Sequence, residues 1–327
     1  MKGRLILIFF LTSLMACQEE DSFIVNREDV IDNYEEYIWR EKQNRWIFSQ
    51  MREHYFWTEQ LKDSLDYDYT LLPDLFFNSM LVEEDRFSYC FLNENYNGRT
   101  KSFDLNESVS VDTVFICKEH RIGYFRYDGF EAEADITDII FRLKVQDISD
   151  LIIDLRNNPG GLVKTAVHLA SFISRNTLGK QFCRLRYNKN ISEKMLQETG
   201  SRYSYYYFLD DFNHTNCNLN LTRIFFIVNS YSASSSELII NCLKPYIEVV
   251  TIGETTRGKD VGMYCISNPE YKYALEPITF RSYNALGDSV PKTGIIPDIL
   301  VRNDLSLIDP AMDESSINAA VTYIMNN

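Results

Sequence analysis

Residues 151–161 read Leu151-Ile152-Ile153-Asp154-Leu155-Arg156-Asn157-Asn158-Pro159-Gly160-Gly161. A short, mostly apolar run closed by polar turn residues suits a strand buried on both faces, the pattern of a parallel sheet. The Asn-Pro-Gly-Gly that closes it is turn chemistry, and residues 163–173 then recur at helical spacing. The rhythm returns downstream: an apolar run at 224–228, a helix at 236–243 and a strand at 249–252. Upstream, 114–117 and 122–125 read as short strands parted by charged turn residues, and 136–143 as a helix. Strand, turn, helix and strand in this order predict an α/β, layered parallel-strand core. The Tyr- and Asn-rich segment 182–220 breaks the rhythm and reads as a strand followed by an extended connection.

The N-terminal third has a different texture. Residues 23–62 read as helical, with spacings of three and four through Ile31, Tyr34 and Ile38 and again through Ile47, Met51 and Tyr55. Pro73 opens a second short helical stretch at 76–81, and the polar stretch 93–99 reads as a loop. The division expected is a leader at 1–16, a tether at 17–30, an N-terminal helical region at 31–92 and a core at 93–327.

With 45% hydrophobic and 14% aromatic residues, the 327-residue chain can build a sizeable core, which argues against disorder. Its formal charge of −14 becomes −16 without Lys2 and Arg4, so nucleic acid and anionic lipid surfaces repel it at long range. Lys2 and Arg4 precede an apolar stretch at 5–14 that falls short of the roughly 20 residues a membrane helix needs, as in a signal peptide. The stretch ends in Leu14-Met15-Ala16-Cys17, which resembles the lipobox of bacterial lipoproteins. That resemblance implies cleavage before Cys17, acylation of the cysteine, and export with the chain anchored to the cell envelope by lipid alone. Six further cysteines permit disulfides in an exported chain, yet no pair has CxxC spacing. The four histidines lack HxxxH or HExxH spacing, so neither a metal nor a cofactor is expected.

Two strand-to-helix turns and one loop carry the chemistry. The Gly160-Gly161 pair lets the backbone take positive φ and aims N–H groups above a helix start, where they can serve as an oxyanion hole. Asn229-Ser230-Tyr231-Ser232-Ala233-Ser234-Ser235-Ser236-Glu237 holds five serines in seven residues, more than helix capping requires. A serine nucleophile needs a base, and no histidine sits in a comparable turn. The candidate is Lys259 in Gly253-Glu254-Thr255-Thr256-Arg257-Gly258-Lys259, which acts as a base only if burial lowers its pKa.

In order, DLRNNPGG, SASSSE and GETTRGK resemble the signature segments of the carboxyl-terminal processing (tail-specific) proteases. The resemblance implies Ser234 as nucleophile, Lys259 as base, and oxyanion donors at Gly160 or Gly161 and at Ser235. Gly294-Ile295-Ile296-Pro297-Asp298 and Asp85-Arg86-Phe87-Ser88 are similar to further segments of that family. It also implies a fold of the tail-specific protease and crotonase-like type, and a peptide or unfolded protein as substrate. Three departures stand out. Met263 occupies the place of a glutamine that often assists the lysine, and Pro245 that of an aspartate. Only residues 91–113 lie where a PDZ domain usually sits. The rival expectations are a non-catalytic peptide- or ligand-binding lipoprotein on the same core, and an acyl-CoA enzyme of the crotonase type, which an exported chain has no means of supplying. Oligomeric state is not legible.

Overall fold

The computed structural model describes residues 27–93, 109–131, 134–302 and 314–327. The leader, Cys17 and most of the 93–99 stretch lie outside the described residues.

The N-terminal region is built on α1 (Arg27–His54) and α2 (Pro73–Asn78), followed by the short strand β1 (Tyr89–Leu92). Ile47, Met51 and Tyr55 are fully buried and pack with Phe76, Phe77 and Leu275, as their spacing predicts. Tyr34, in the same helix, is 60% exposed, so at this position the predicted stripe faces solvent. A helix predicted to 62 stops at His54. Beyond it, Phe56 donates its amide to Ile278 O (2.8 Å), so the chain leaves the helix to meet the core.

The core runs β2 (Val109–Cys117), β3 (His120–Tyr127), α3 (Ala134–Val145), β4 (Asp150–Asp154) and α4 (Val163–Ser171). Next come β5 (Gln181–Tyr187), α5 (Lys189–Thr199), β6 (Tyr203–Tyr207), α6 (Phe212–Asn216), β7 (Arg223–Val228), α7 (Ser235–Leu243) and β8 (Glu248–Gly253). The chain ends with β9 (Val261–Met263), β10 (Tyr273–Glu276), β11 (Ile278–Tyr283), β12 (Ile299–Leu300) and α8 (Ser315–Asn326).

Six strands form the central sheet in the order β12-β8-β7-β4-β3-β2, every pair parallel except the β2–β3 hairpin. Alternation across the sheet sorts the apolar side chains. Leu151, Ile153, Ile224, Phe226 and Val228 face the layer of α3, α4 and α7, whereas Ile152, Phe225 and Ile227 face α8. Both faces are therefore covered, which is why β4 and β7 read as continuous apolar runs. A second, antiparallel sheet has the order β6-β5-β11-β9, and β1 pairs with β10.

The reading of 182–220 as an extended connection is corrected here. Asn188 caps α5 by accepting the Ile191 amide (2.9 Å), and Gly200 ends it in the left-handed conformation. The sequence carries these stop and start signals, but the helix is polar on balance and buries little besides Ser192. Strand β1, which ends at Leu92, is hydrogen-bonded to β10 of the core. Cys90, Cys117, Cys183, Cys217, Cys242 and Cys265 are all unpaired.

Candidate active site

Strands β4, β7 and β8 are parallel neighbours, so their C-terminal ends lie side by side on one edge of the sheet. The turns leaving those ends carry the three segments singled out in the sequence, which brings them together as in other open α/β sheets.

The serine-rich turn is bolted to the glycine turn by side chains. Ser232 Oγ donates to Leu155 O (2.7 Å), Ser235 Oγ to Gly161 O (2.7 Å) and Ser236 Oγ to Asn158 O (3.1 Å). Asn229 Nδ2 donates to Asn157 Oδ1 (2.9 Å) while its own Oδ1 accepts the Asn157 amide (3.1 Å). Three of the five serines are thus structural. Ser234 is different. It is half-buried, and its φ of 55° with ψ of −114° is a conformation that side-chain-bearing residues rarely adopt. Such strain, held by the bolted neighbours, sits at the N-cap of α7, where Ser234 and Glu237 form a capping box.

Gly160 lies against it. A Cβ at Gly160 would sit 2.7 Å from Ser234 Cβ and 2.8 Å from the Ser235 nitrogen, at a φ of +103°. Gly160→Ala is expected to lower turnover by about 10²-fold, the usual effect of a misplacement near 1 Å. Backbone strain should cost about 1–3 kcal/mol of stability. Steady-state kinetics and denaturant unfolding check both, and unchanged turnover would mean that the turn has no part in the site.

The Gly160 amide donates to Asn158 Oδ1 (2.8 Å) and is spent. Among the described residues no hydrogen bond engages the amides of Gly161 or Ser235. Of the two glycines expected to supply an oxyanion donor, Gly161 is the one with a donor to spare.

The loop after β8 is joined to the serine turn by Glu237, the last residue of the serine-rich segment. Glu237 is fully buried, and its Oε1 accepts Thr256 Oγ1 and the Gly258 amide (2.7 Å). Its Oε2 accepts the amides of Lys259 (2.8 Å) and Ser234 (3.1 Å). Burial pushes this carboxyl above its usual range, and the four donors pull the other way. Gly258 is needed where it stands, because a Cβ there would meet Lys292 O at 2.3 Å. The 294–298 segment braces the same loop: Ile295 N donates to Thr256 Oγ1 (2.7 Å), and Asp298 Oδ2 accepts the Thr251 amide (2.8 Å).

Lys259 is half-buried, with Nζ 5.5 Å from the centre of the Phe87 ring. Burial draws its pKa below the ordinary lysine value, opposed by Glu276 and then by Glu237. Ser234 Oγ and Lys259 Nζ make no hydrogen bond to each other among the described residues. Proton transfer between them needs an approach to about 3 Å. Arg86 ties the N-terminal region to this loop, donating to Gly258 O (2.7 Å) and Lys292 O (3.1 Å). Met263 lies on β9 opposite Ile278 and offers only a thioether.

Two of the scattered histidines meet away from this site. His214 Nε2 lies 2.9 Å from His168 Nδ1, and Asp211 Oδ1 lies 2.7 Å from His214 Nδ1. Among the described residues, no group of three or more His, Cys, Asp or Glu side chains is placed to hold a metal ion. No described helix is long and apolar enough to cross a membrane.

The sequence profile of peptidase family S41 matches residues 121–301, and that of the peptidase S41 N-terminal domain matches residues 42–89. The carboxy-terminal processing protease CtpA of Bacillus subtilis (strain 168) is 28% identical over 158 residues, 47% of this chain and 29% of that protein. The chain therefore spans under a third of the length of that curated relative. Among solved structures, a Bacteroides fragilis NCTC 9343 protein assigned to the S41 proteases superposes with a TM-score of 0.70 at 18% identity, covering 86% of this chain and 97% of that one. A Streptococcus agalactiae lipoprotein gives a TM-score of 0.56 at 13% identity, covering 88% and 96%. At such identities the likeness is one of fold.

Proposed function

This chain belongs to peptidase family S41, and on that premise we propose that it is a serine endopeptidase working through Ser234 and Lys259. The observation that carries the reading is the Glu237 carboxylate, which receives the amides of both residues on one oxygen and so holds nucleophile and base in register.

The steps follow from the residues. Neutral Lys259 takes the Ser234 proton as Oγ attacks a peptide carbonyl carbon. The amides of Gly161 and Ser235 receive the oxyanion, and the lysine ammonium then returns the proton to the leaving amine nitrogen. Water, deprotonated by the same lysine, hydrolyses the Ser234 ester and frees the enzyme. A peptide or unfolded protein is the substrate this chemistry asks for. Hydrolysis of such a substrate by the wild type, Ser234→Ala and Lys259→Ala is the test, and equal rates in all three would leave only a binding role.

The lowered lysine pKa sets a direction for pH. A base must be unprotonated, so activity rises with pH through the pKa of Lys259. Burial puts that limb below the ordinary value of about 10.4. Lys259→Arg should be inactive at every pH, because a guanidinium does not deprotonate. A wild-type limb at or above about 10.4, read from kcat/KM against pH, would contradict a desolvated lysine base.

The proposal extends to location: an exported chain anchored to the cell envelope through lipid on Cys17, supported by the leader and the lipobox-like run 14–17. Detergent-phase partitioning of the full chain that persists in Cys17→Ala would refute the anchor.

A further inference from the structure

Two carboxylates act on Lys259, and they are not equivalent. Glu237 is fully buried with both oxygens committed to other donors. Glu276 is half-buried at the end of β10, and its charge, like that of Glu237, opposes the lowering of the Lys259 pKa by burial. Tyr89 OH donates to Glu276 Oε2 (2.7 Å), and Tyr89 stands directly opposite Glu276 where β1 pairs with β10. Among the described residues the other oxygen of Glu276 accepts no hydrogen bond. Two residues before Tyr89, Phe87 lies under the Lys259 ammonium. The segment that puts Phe87 beside the Lys259 ammonium therefore also carries, two residues on, the tyrosine that holds the Glu276 carboxylate.

We propose that Glu276, held by Tyr89, is the positioning residue for Lys259: its free oxygen receives the ammonium that forms when the lysine takes the Ser234 proton. This rests on the Ser-Lys reading and adds the partner that reading lacks, since Met263 supplies no acceptor. The physical need is plain. Burial favours a neutral lysine before the reaction but disfavours the ammonium formed during it, and a carboxylate fixed nearby lowers the second cost. It does so without proton transfer to itself, as the carboxylate behind a catalytic histidine does.

The surroundings of Lys259 fix the sign of the pH effect. Glu276 comes from β10 and Glu237 from α7. Tyr89 and Cys265 face Glu276 rather than the lysine. Arg86 is spent on Gly258 O and Lys292 O, and Asp260 is paired with Arg281 (2.9 Å). Glu84 and Lys292 line the adjoining cleft. Removing the Glu276 charge leaves burial less opposed, so the lysine pKa falls.

The experiment measures kcat and KM against pH for the wild type, Glu276→Gln, Glu276→Asp and Tyr89→Phe on an unfolded protein substrate. Alongside, the Lys259 side chain is titrated by NMR after selective lysine labelling, a readout that needs no turnover. Glu276→Gln should move both the acid limb and the Lys259 midpoint down by about one pH unit or more. It should lower kcat about tenfold with little change in KM. Tyr89→Phe should shift both in the same direction by less, and Glu276→Asp should restore most of the kcat. If wild-type hydrolysis depends on Ser234 but limb and midpoint are unmoved in Glu276→Gln, the inference is overturned and the peptidase reading stands. Wild type without Ser234-dependent hydrolysis overturns both.

Discussion

Ser234→Ala is expected to lower kcat on an unfolded protein substrate by at least about 10⁴-fold. Its melting temperature should fall by only a few degrees, because the substitution removes one capping hydroxyl of α7, worth about 1 kcal/mol, from a half-buried residue. The backbone bonds of residue 234 survive it: the amide to Glu237 Oε2 (3.1 Å) and the carbonyl that accepts the Leu238 amide (2.8 Å). The neighbouring serines should behave in the opposite way. Ser232→Ala removes the Oγ that donates to Leu155 O and accepts the Asn229 amide (3.0 Å), in a fully buried position. Leaving those groups unpaired should cost about 1–3 kcal/mol of stability. Peptide release followed by chromatography, with thermal melts on the same preparations, separates the two roles. Activity kept in Ser234→Ala and lost in Ser235→Ala would move the nucleophile one residue along. Ser234→Gly offers a further check, since relief of a strained φ should stabilise the protein by about 1 kcal/mol while activity is lost.

The second large effect belongs to Glu237. Glu237→Ala leaves Thr256 Oγ1 and the amides of Ser234, Gly258 and Lys259 without their acceptor in a buried place. An unpaired buried donor costs about 1–3 kcal/mol, and water entering the cavity offsets part of the sum, so a loss of about 3–5 kcal/mol is expected. Turnover should fall as well, because the serine turn and the lysine loop are no longer held to one another. Glu237→Gln keeps the shape but turns an amide donor toward other donors, and should fall between wild type and Glu237→Ala on both counts. Denaturant midpoints and kcat from the same samples make the comparison. A Glu237→Ala protein as stable as Ser234→Ala would mean that the carboxylate is not the link between the two segments.

The parts of the site differ in how far they were legible. Ser234, Lys259 and the glycine pair were singled out because their three segments, in order, resemble the signature of a known protease family; composition alone marks only the serine-rich turn. Glu237 lies at the end of the serine-rich segment, but both its oxygens meet a loop about twenty residues on, and no local pattern announces that. Tyr89 and Glu276 carry no signal at all: they are 187 positions apart and meet only through the pairing of β1 with β10. The choice between the two glycines was equally hidden, since it turns on Asn158 folding back to take the Gly160 amide.

The sequence by itself determined the α/β alternation, the buried parallel strands and the segments at their ends. These follow from apolar periodicity, glycine and proline chemistry, and capping, all of which act over a few residues. Helix α5 shows where this runs out, because a short helix that is polar on balance and buries little is easily read as a connection despite its caps. The tertiary structure alone decided which side chains share a pocket. Parallel order β8-β7-β4 brings three strand ends to one edge, and the β1–β10 pairing adds a wall from the N-terminal region. Such contacts depend on where the whole chain returns in space, so the burial and charge that tune Lys259 exist only once it has folded.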